Sequence, residues 1–332
     1  MSTATFLSIL DCPACRKSKG LVPQKDSVRY YLACPLCKFW YPVIKEVPIL
    51  LVPEKNPQGK HSALGKPVQF PLERKKTKAF DWKAMTYSYV IRINEMMKTF
   101  PISKELVIAD IGCSTGSFAL ALRNQTYIGF DISFPSLVFA RKNTGHFFVQ
   151  ADATQLPIKT KSIQCFLSRE LLEHVNDTKK AMQELYRIAQ YGYLELPTLN
   201  FPFAYDPINW ILTRLGRKIN YGIYGYNHEK LYTIAGWKEQ LINSGFKITK
   251  EKVIGTGLFL NLFDNVWHIS YNFWHIFYSL FSSKKGFESI PKIRFPARLV
   301  RMLFSIRIAL HRIDTLLLKK GVSQGFKVEA RF

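Results

Sequence analysis

Four of the six cysteines stand as two pairs, Cys12-Pro-Ala-Cys15 and Cys34-Pro-Leu-Cys37, separated by residues 16–33. Two such knuckles at this interval present four thiolates tetrahedrally to Zn²⁺. With four protein ligands the ion keeps no open position, so its expected role is structural. Cys113 and Cys165 fall in or beside strand-like runs and read as small buried hydrophobes rather than nucleophiles.

A second set begins at Ala109-Asp-Ile-Gly-Cys-Ser-Thr-Gly-Ser-Phe118. It follows a β-branched run and opens a helix, and Gly112 and Gly116 allow a sharp turn with close approach to a ligand. Asp131 ends the next strand, twenty-one residues after Asp110, where a carboxylate accepts both hydroxyls of a ribose. Asp152 follows the third strand in Val149-Gln-Ala-Asp-Ala-Thr-Gln-Leu-Pro157, placed to contact an adenine amino group. Two histidines are candidates for proton transfer. His174, in Glu170-Leu-Leu-Glu-His-Val175, lies just past the fourth strand, at the carboxyl edge where open α/β sheets bind ligands. Capping or packing is the equally weighted structural reading for it. His228, in Tyr224-Gly-Tyr-Asn-His-Glu229, stands before a helix.

These residues need a scaffold, and the pattern supplies one. Strand-like runs at 106–111, 127–131, 147–149, 163–167 and 193–196 alternate with helical stretches at 118–122, 133–141 and 177–189, with Ser133 as a cap. Strands alternating with single helices imply an α/β fold with a doubly wound, mostly parallel sheet. The expected organisation is a zinc-ribbon-like module over 1–52, a Pro-, Gly- and Lys-rich linker over 53–84, a Rossmann-like domain over 85–252 and a helical region over 253–332. In that last region Asn261, Asn265, His268, Asn272, His275 and Ser279 make one polar stripe on an aromatic-rich helix. Arg298, Arg301, Arg307, Arg312, Lys319 and Lys320 follow among leucines and isoleucines.

The formal charge of +23 is uneven, with a net of +9 over residues 1–80, +2 over 81–200 and +12 over 201–332. Basic flanks around a near-neutral centre fit an anionic partner, nucleic acid or a phospholipid surface. An aromatic helix followed by a basic amphipathic one suits a monotopic membrane contact; a helical cap packed on the sheet is the alternative. Met1 to Leu10 lacks the basic start of a secretory signal, and a reducing, cytoplasmic setting is expected.

The stretch 105–200 resembles the class I methyltransferase family, in the type 11 subgroup that includes quinone-biosynthesis enzymes. The likeness rests on Asp110-Ile-Gly-Cys-Ser-Thr-Gly116, Gly129-Phe-Asp131, Ala151-Asp152…Leu156-Pro157 and Ser168-Arg-Glu-Leu-Leu-Glu-His-Val175. It implies S-adenosyl-L-methionine rather than a dinucleotide, held by Asp110, Gly112, Ser114, Gly116, Asp131, Ile132, Asp152, Ala153 and Glu170. Ser114 replaces the middle glycine of the family's loop. Cys12, Cys15, Cys34 and Cys37 with Tyr41-Pro42…Val47-Pro48-Ile49-Leu50 resemble the zinc-ribbon-like family that partners and stabilises translation-related methyltransferases. There is no Asn-Pro-Pro-Tyr tetrapeptide of the amino-methylating nucleic-acid enzymes.

The function expected is therefore S-adenosylmethionine-dependent methyl transfer to a lipid-like or membrane-associated small molecule, with the protein cytoplasmic and peripheral at the membrane. An RNA or translation-factor methyltransferase is the alternative, and a non-catalytic scaffold of the same fold is the third reading.

Overall fold

The computed structural model describes residues 3–17, 20–27, 30–52, 93, 96–97, 106–122, 125–199, 231–255, 259, 263, 297–317 and 323–330. They divide into two compact units, one of residues 1–196, 235–252 and 325–332, the other of residues 197–234 and 253–324.

The first unit is built on a seven-stranded sheet. Its strands are β5 (Val107–Ile111), β6 (Thr126–Asp131), β7 (Phe147–Gln150), β8 (Ile163–Arg169), β9 (Ala189–Pro197), β10 (Phe246–Gly255) and β11 (Ser323–Ala330). The order across the sheet is β10-β11-β9-β8-β5-β6-β7. β5 pairs in parallel with both β6 and β8, β6 with β7 and β8 with β9. The chain thus winds outward from β5 in one direction and from β8 in the other, the doubly wound plan. β5 and β8 read as apolar runs because each is covered on both faces, and Ile108, Ala109, Phe166 and Leu167 are fully buried.

Helices α2 (Ser117–Ala121), α3 (Phe134–Thr144), α4 (Thr178–Ile188) and α5 (Ile234–Asn243) connect or flank these strands. Asp177 caps α4, its side chain accepting from the Lys180 N–H at 2.9 Å. Ser133 occupies the N-cap of α3 but does not cap it with its side chain; its Oγ lies 2.9 Å from Ser136 Oγ instead. Cys113 and Cys165 are buried packing residues, and burial pushes the Cys165 thiol up to about 12.

The N-terminal module starts with α1 (Thr3–Ile9) and forms an antiparallel sheet of β1 (Val22–Lys25), β2 (Tyr30–Ala33), β3 (Trp40–Ile44) and β4 (Val47–Pro48). It lies along β7, the last strand of the large sheet. Ile49 and Gln150 form a parallel bridge, and the Leu50 N–H donates to the Gln150 carbonyl at 2.9 Å. The rings of Phe6 and Phe147 stack at 4.5 Å, and Arg141 pairs with Glu46 at 2.9 Å.

In the second unit the longest described element is α6 (Ala297–Leu317), and Thr198 and Tyr232 form a parallel bridge. The polar stripe of Asn261, Asn265, His268, Asn272, His275 and Ser279 lies outside the described residues. Among the described residues no helix is long and apolar enough to cross a membrane. β11 was not legible as a strand in the sequence, which reads as helical throughout 253–332.

Candidate functional site

In a doubly wound sheet the crevice opens where the winding reverses, beyond the carboxyl ends of the two strands concerned. Here those strands are β5 and β8, and two turns meet there. The first runs from Gly112 to Gly116. The Gly112 and Cys113 N–H groups donate to the Phe130 carbonyl at 2.8 and 3.1 Å, and the Gly116 N–H to the Cys113 carbonyl at 2.9 Å. The second is Glu170 to His174. Leu171 closes on the first turn: a Cβ on Gly112 would sit 3.0 Å from Leu171 Cβ.

Asp131 is the hub of this edge. Its Oδ2 accepts from the Ser114 N–H at 2.8 Å and its Oδ1 from the Ser133 N–H at 2.8 Å. Ser114 itself adopts a left-handed φ of +48°, a conformation costing an L-residue about 1–2 kcal/mol. The bond to Asp131 offsets that cost. Ile132 is exposed and its carbonyl accepts from Gln150 Nε2 at 2.9 Å. Asp152 is exposed; its Oδ1 accepts from the Thr154 N–H at 2.7 Å and Thr154 Oγ1 at 2.8 Å, fixing the turn that carries Ala153.

Asp110 is placed differently from the other expected cofactor residues. It is buried, and the Tyr127 hydroxyl donates to its Oδ2 at 2.5 Å. Burial pushes its carboxyl up to about 7, against the opposing effects of the Tyr127 bond and the Arg169 charge.

The second turn brings charge to the same edge. Glu170 has a φ of +48°, and its N–H donates to the Glu195 carbonyl at 2.9 Å. The Arg169 guanidinium lies over the Phe118 ring at 5.5 Å, joining β8 to α2. Glu173 is fully buried, and neither carboxylate oxygen has a hydrogen-bond partner among the described residues. Burial and then the Glu170 charge hold its carboxyl well above the usual carboxylate range. His174 is 40 % exposed in its side chain, with Nε2 3.9 Å from Glu173 Oε1. His228 lies outside the described residues. Tyr127, Glu173 and Glu195 were not singled out by sequence. Only the Glu-Leu-Leu-Glu spacing after β8 carried any signal of the last group.

The four paired cysteines converge. Cys12 and Cys37 Sγ are 3.6 Å apart, Cys15 and Cys34 Sγ are 3.6 Å apart, and all four sulfurs lie within 4.8 Å of one another. Tetrahedral Zn–S bonds of about 2.3 Å put sulfurs about 3.8 Å apart, so the donor set fits that ion. The two knuckles are built alike. The N–H of Arg16 donates to the Cys12 carbonyl at 2.8 Å and that of Lys38 to the Cys34 carbonyl at 3.0 Å. Both residues are left-handed, at φ +53° and +60°. The Tyr41 hydroxyl stands 3.1 Å from Cys12 Sγ, as an outer-shell partner would.

Residues 109–194 match a family model, the methyltransferase domain. No curated protein matches the chain in sequence. Among solved structures, one chain of a complex between the Haloferax volcanii Trm112 methyltransferase activator and a methyltransferase is similar at 14% identity and a TM-score of 0.46, over 75% of this chain and 93% of that one. An S-adenosylmethionine-dependent methyltransferase from Thermotoga maritima is similar at 16% identity and a TM-score of 0.44, over 74% of this chain and 92% of that one. Phosphoethanolamine N-methyltransferase 2 from Haemonchus contortus, in complex with phosphomonomethylethanolamine and S-adenosylhomocysteine, is similar at 13% identity and a TM-score of 0.45, over 77% and 59%.

The strand, loop and carboxylate arrangement at the winding reversal, in the stretch matched by the methyltransferase domain model, defines the class. Residues 109–194 carry a methyltransferase domain, and that domain supports S-adenosylmethionine-dependent methyl transfer.

Proposed function

We propose that the protein methylates a lipid-like, membrane-associated small molecule, and that it does so at the membrane surface from the cytoplasm. The observation that carries this reading is the outer face of α6. Arg298, Met302, Ala309, Arg312, Ile313, Leu316 and Leu317 are exposed and recur at helical spacing. Leu316 is 84% exposed and Leu317 66%. Arginines among exposed leucines suit an anionic interface, where apolar side chains enter the acyl boundary and cations meet headgroups.

The catalytic work is assigned to residues 85–252, completed by β11, with 1–52 as the zinc module, 53–84 as the connection and 253–332 as the surface-seeking region. In the catalytic domain Asp131 accepts the ribose hydroxyls and Asp152 the adenine amino group, flanked by Ile132 and Ala153. The Gly112–Gly116 turn with Ser114 admits the rest of the cofactor. Asp110 supports that turn from below, and Glu170 bounds it from β8. The bound sulfonium supplies an already electrophilic methyl group, so the protein's task is alignment and exclusion of water. His174 takes the proton of a hydroxyl or phenol acceptor, and His228 is the second candidate for that step. Cys12, Cys15, Cys34 and Cys37 hold a structural Zn²⁺ and take no part in the chemistry.

A second reading, methylation of RNA or of a translation factor, is favoured by one feature of the module. Tyr31 and Trp40 stack at 4.5 Å, Trp40 is 54% exposed, and Lys25 lies 5.0 Å over the Tyr30 ring. Exposed aromatics beside cations stack unpaired bases.

One experiment separates these. The full chain is incubated with methyl-labelled S-adenosylmethionine and either total membrane lipid or total RNA. Label entering the organic phase is the expected outcome. Label in RNA alone replaces the first reading by the second. Absence of S-adenosylmethionine binding leaves only a non-catalytic scaffold.

A further inference from the structure

The first cysteine knuckle is bonded to the segment that follows the Asp152 turn. The Asp11 N–H donates to the Pro157 carbonyl at 3.0 Å, the Lys159 N–H to the Ile9 carbonyl at 2.9 Å, and Leu10 and Ile158 form an antiparallel bridge. Pro13, between Cys12 and Cys15, accepts from Gln155 Nε2 at 2.8 Å. Arg16, directly after Cys15, sets its Nη1 and Nη2 2.8 and 3.1 Å from the two oxygens of Glu184.

Glu184 is buried on α4 and hands this contact on. Its Oε2 also accepts from the Leu156 N–H at 2.8 Å. Arg187 grips both of its oxygens at 3.0 and 2.9 Å and reaches the carbonyls of Leu156 at 3.1 Å and Ile158 at 2.6 Å. Burial alone raises a carboxyl; here the Arg187 and Arg16 guanidiniums outweigh it and hold Glu184 below the usual range. Residues 155–159 are therefore each tied to the knuckle, to residues 8–11 that lead into it, or to the Glu184–Arg187 pair.

We propose that the first cysteine knuckle positions the adenine-side loop of the cofactor site, with Arg16, Gln155 and Glu184 as positioning residues, so that metal occupancy sets the affinity for S-adenosylmethionine. This rests on the reading of Asp152 as the adenine contact and of the four thiolates as a zinc site. The physical link is the strain at Arg16. A left-handed arginine persists only where its surroundings over-determine it, and here the surroundings are the turn of the first knuckle, which a bound ion would close. Without the ion four thiols no longer hold that turn. Glu184 then loses one of its two guanidiniums, and the acceptor of the Leu156 N–H is left held by Arg187 alone.

The test uses the full, zinc-loaded chain, with S-adenosylmethionine titrated calorimetrically and zinc measured by plasma emission. Arg16→Met is expected to keep its zinc and to raise the Kd about tenfold, the equivalent of one lost charge-assisted contact. Gln155→Ala, which removes one neutral bond at no risk to the fold, is expected to raise it about threefold to fivefold. Lys17→Ala, an exposed neighbour, leaves the Kd unchanged. Wild-type affinity in both Arg16→Met and Gln155→Ala overturns the proposal. So does a chelated wild-type protein that keeps its far-UV spectrum and its Kd. Asp152→Ala separates the two layers: if it binds S-adenosylmethionine like the wild type, the adenine assignment fails whatever the knuckle variants do.

Discussion

Gly116→Ala tests whether the cofactor turn is held by packing as well as by backbone conformation. Gly116 sits at the N-cap of α2 with φ +75° and ψ +36°. A Cβ there would lie 2.9 Å from Ala140 Cβ and 3.1 Å from Phe148 Cζ. Both neighbours are fully buried, one on α3 and one on β7, so neither gives way cheaply. The left-handed conformation costs an alanine about 1–2 kcal/mol, and forcing a methyl into the filled space adds about 1–3 kcal/mol. The lost freedom of the unfolded glycine returns about 0.4–1 kcal/mol. The expected destabilisation is about 2–4 kcal/mol. Gly145→Ala is the matched control: φ is +73°, and nothing lies within 4 Å of the added Cβ. It should cost only about 1 kcal/mol. Guanidinium unfolding followed by far-UV circular dichroism gives both values. Equal destabilisation in the two variants would refute the packing argument.

Asp131→Ala should weaken S-adenosylmethionine binding more than about a hundredfold, since two charge-assisted bonds are lost, while zinc content stays unchanged; calorimetry and metal analysis read the two. Asp110→Asn should alter the pH dependence of stability. The wild-type carboxyl moves from its ordinary 3.8 up to about 7 on burial, so the folded chain binds this proton more tightly. Its contribution is complete below pH 3.8 and is lost as pH rises through about 7. Asparagine has no such proton, so melting curves should show the variant gaining on the wild type between pH 4 and 7.5; a constant difference would argue against a raised Asp110. Cys34→Ser should lose zinc and lower the melting temperature, because a serine hydroxyl does not ionise to replace the thiolate. Retention of one equivalent of metal would remove Cys34 from the ligand set.

The five strands β5 to β9 were legible because each is an apolar run that ends at a turn or a polar motif. The site carboxylates were legible because they fall at or near the carboxyl ends of strands. Two strands were not. β10 reads Phe-Lys-Ile-Thr-Lys-Glu-Lys-Val-Ile-Gly, with charges throughout, and β11 reads Ser-Gln-Gly-Phe-Lys-Val-Glu-Ala. Their place at the β9 end of the sheet is set by topology and, in β11, by Phe326 and Val328, which are fully buried. In the site, the double use of Asp131 by Ser114 and Ser133 was invisible, since it depends on two backbone N–H groups. The knuckle-to-loop bonds were equally hidden: Arg16 and Glu184 are 168 positions apart.

The bridge between Ile49 and Gln150 has a consequence for how the chain is made. A terminal strand with bare N–H and C=O groups is a template for another copy of itself, and proteins guard such flanks. β7 is that strand in the order of the large sheet, and its guard lies about a hundred positions earlier in the same chain. On a ribosome the guard emerges first. The vulnerable flank therefore need never wait for a separate protein to find it, and the sheet is shielded from self-association as soon as β7 is complete.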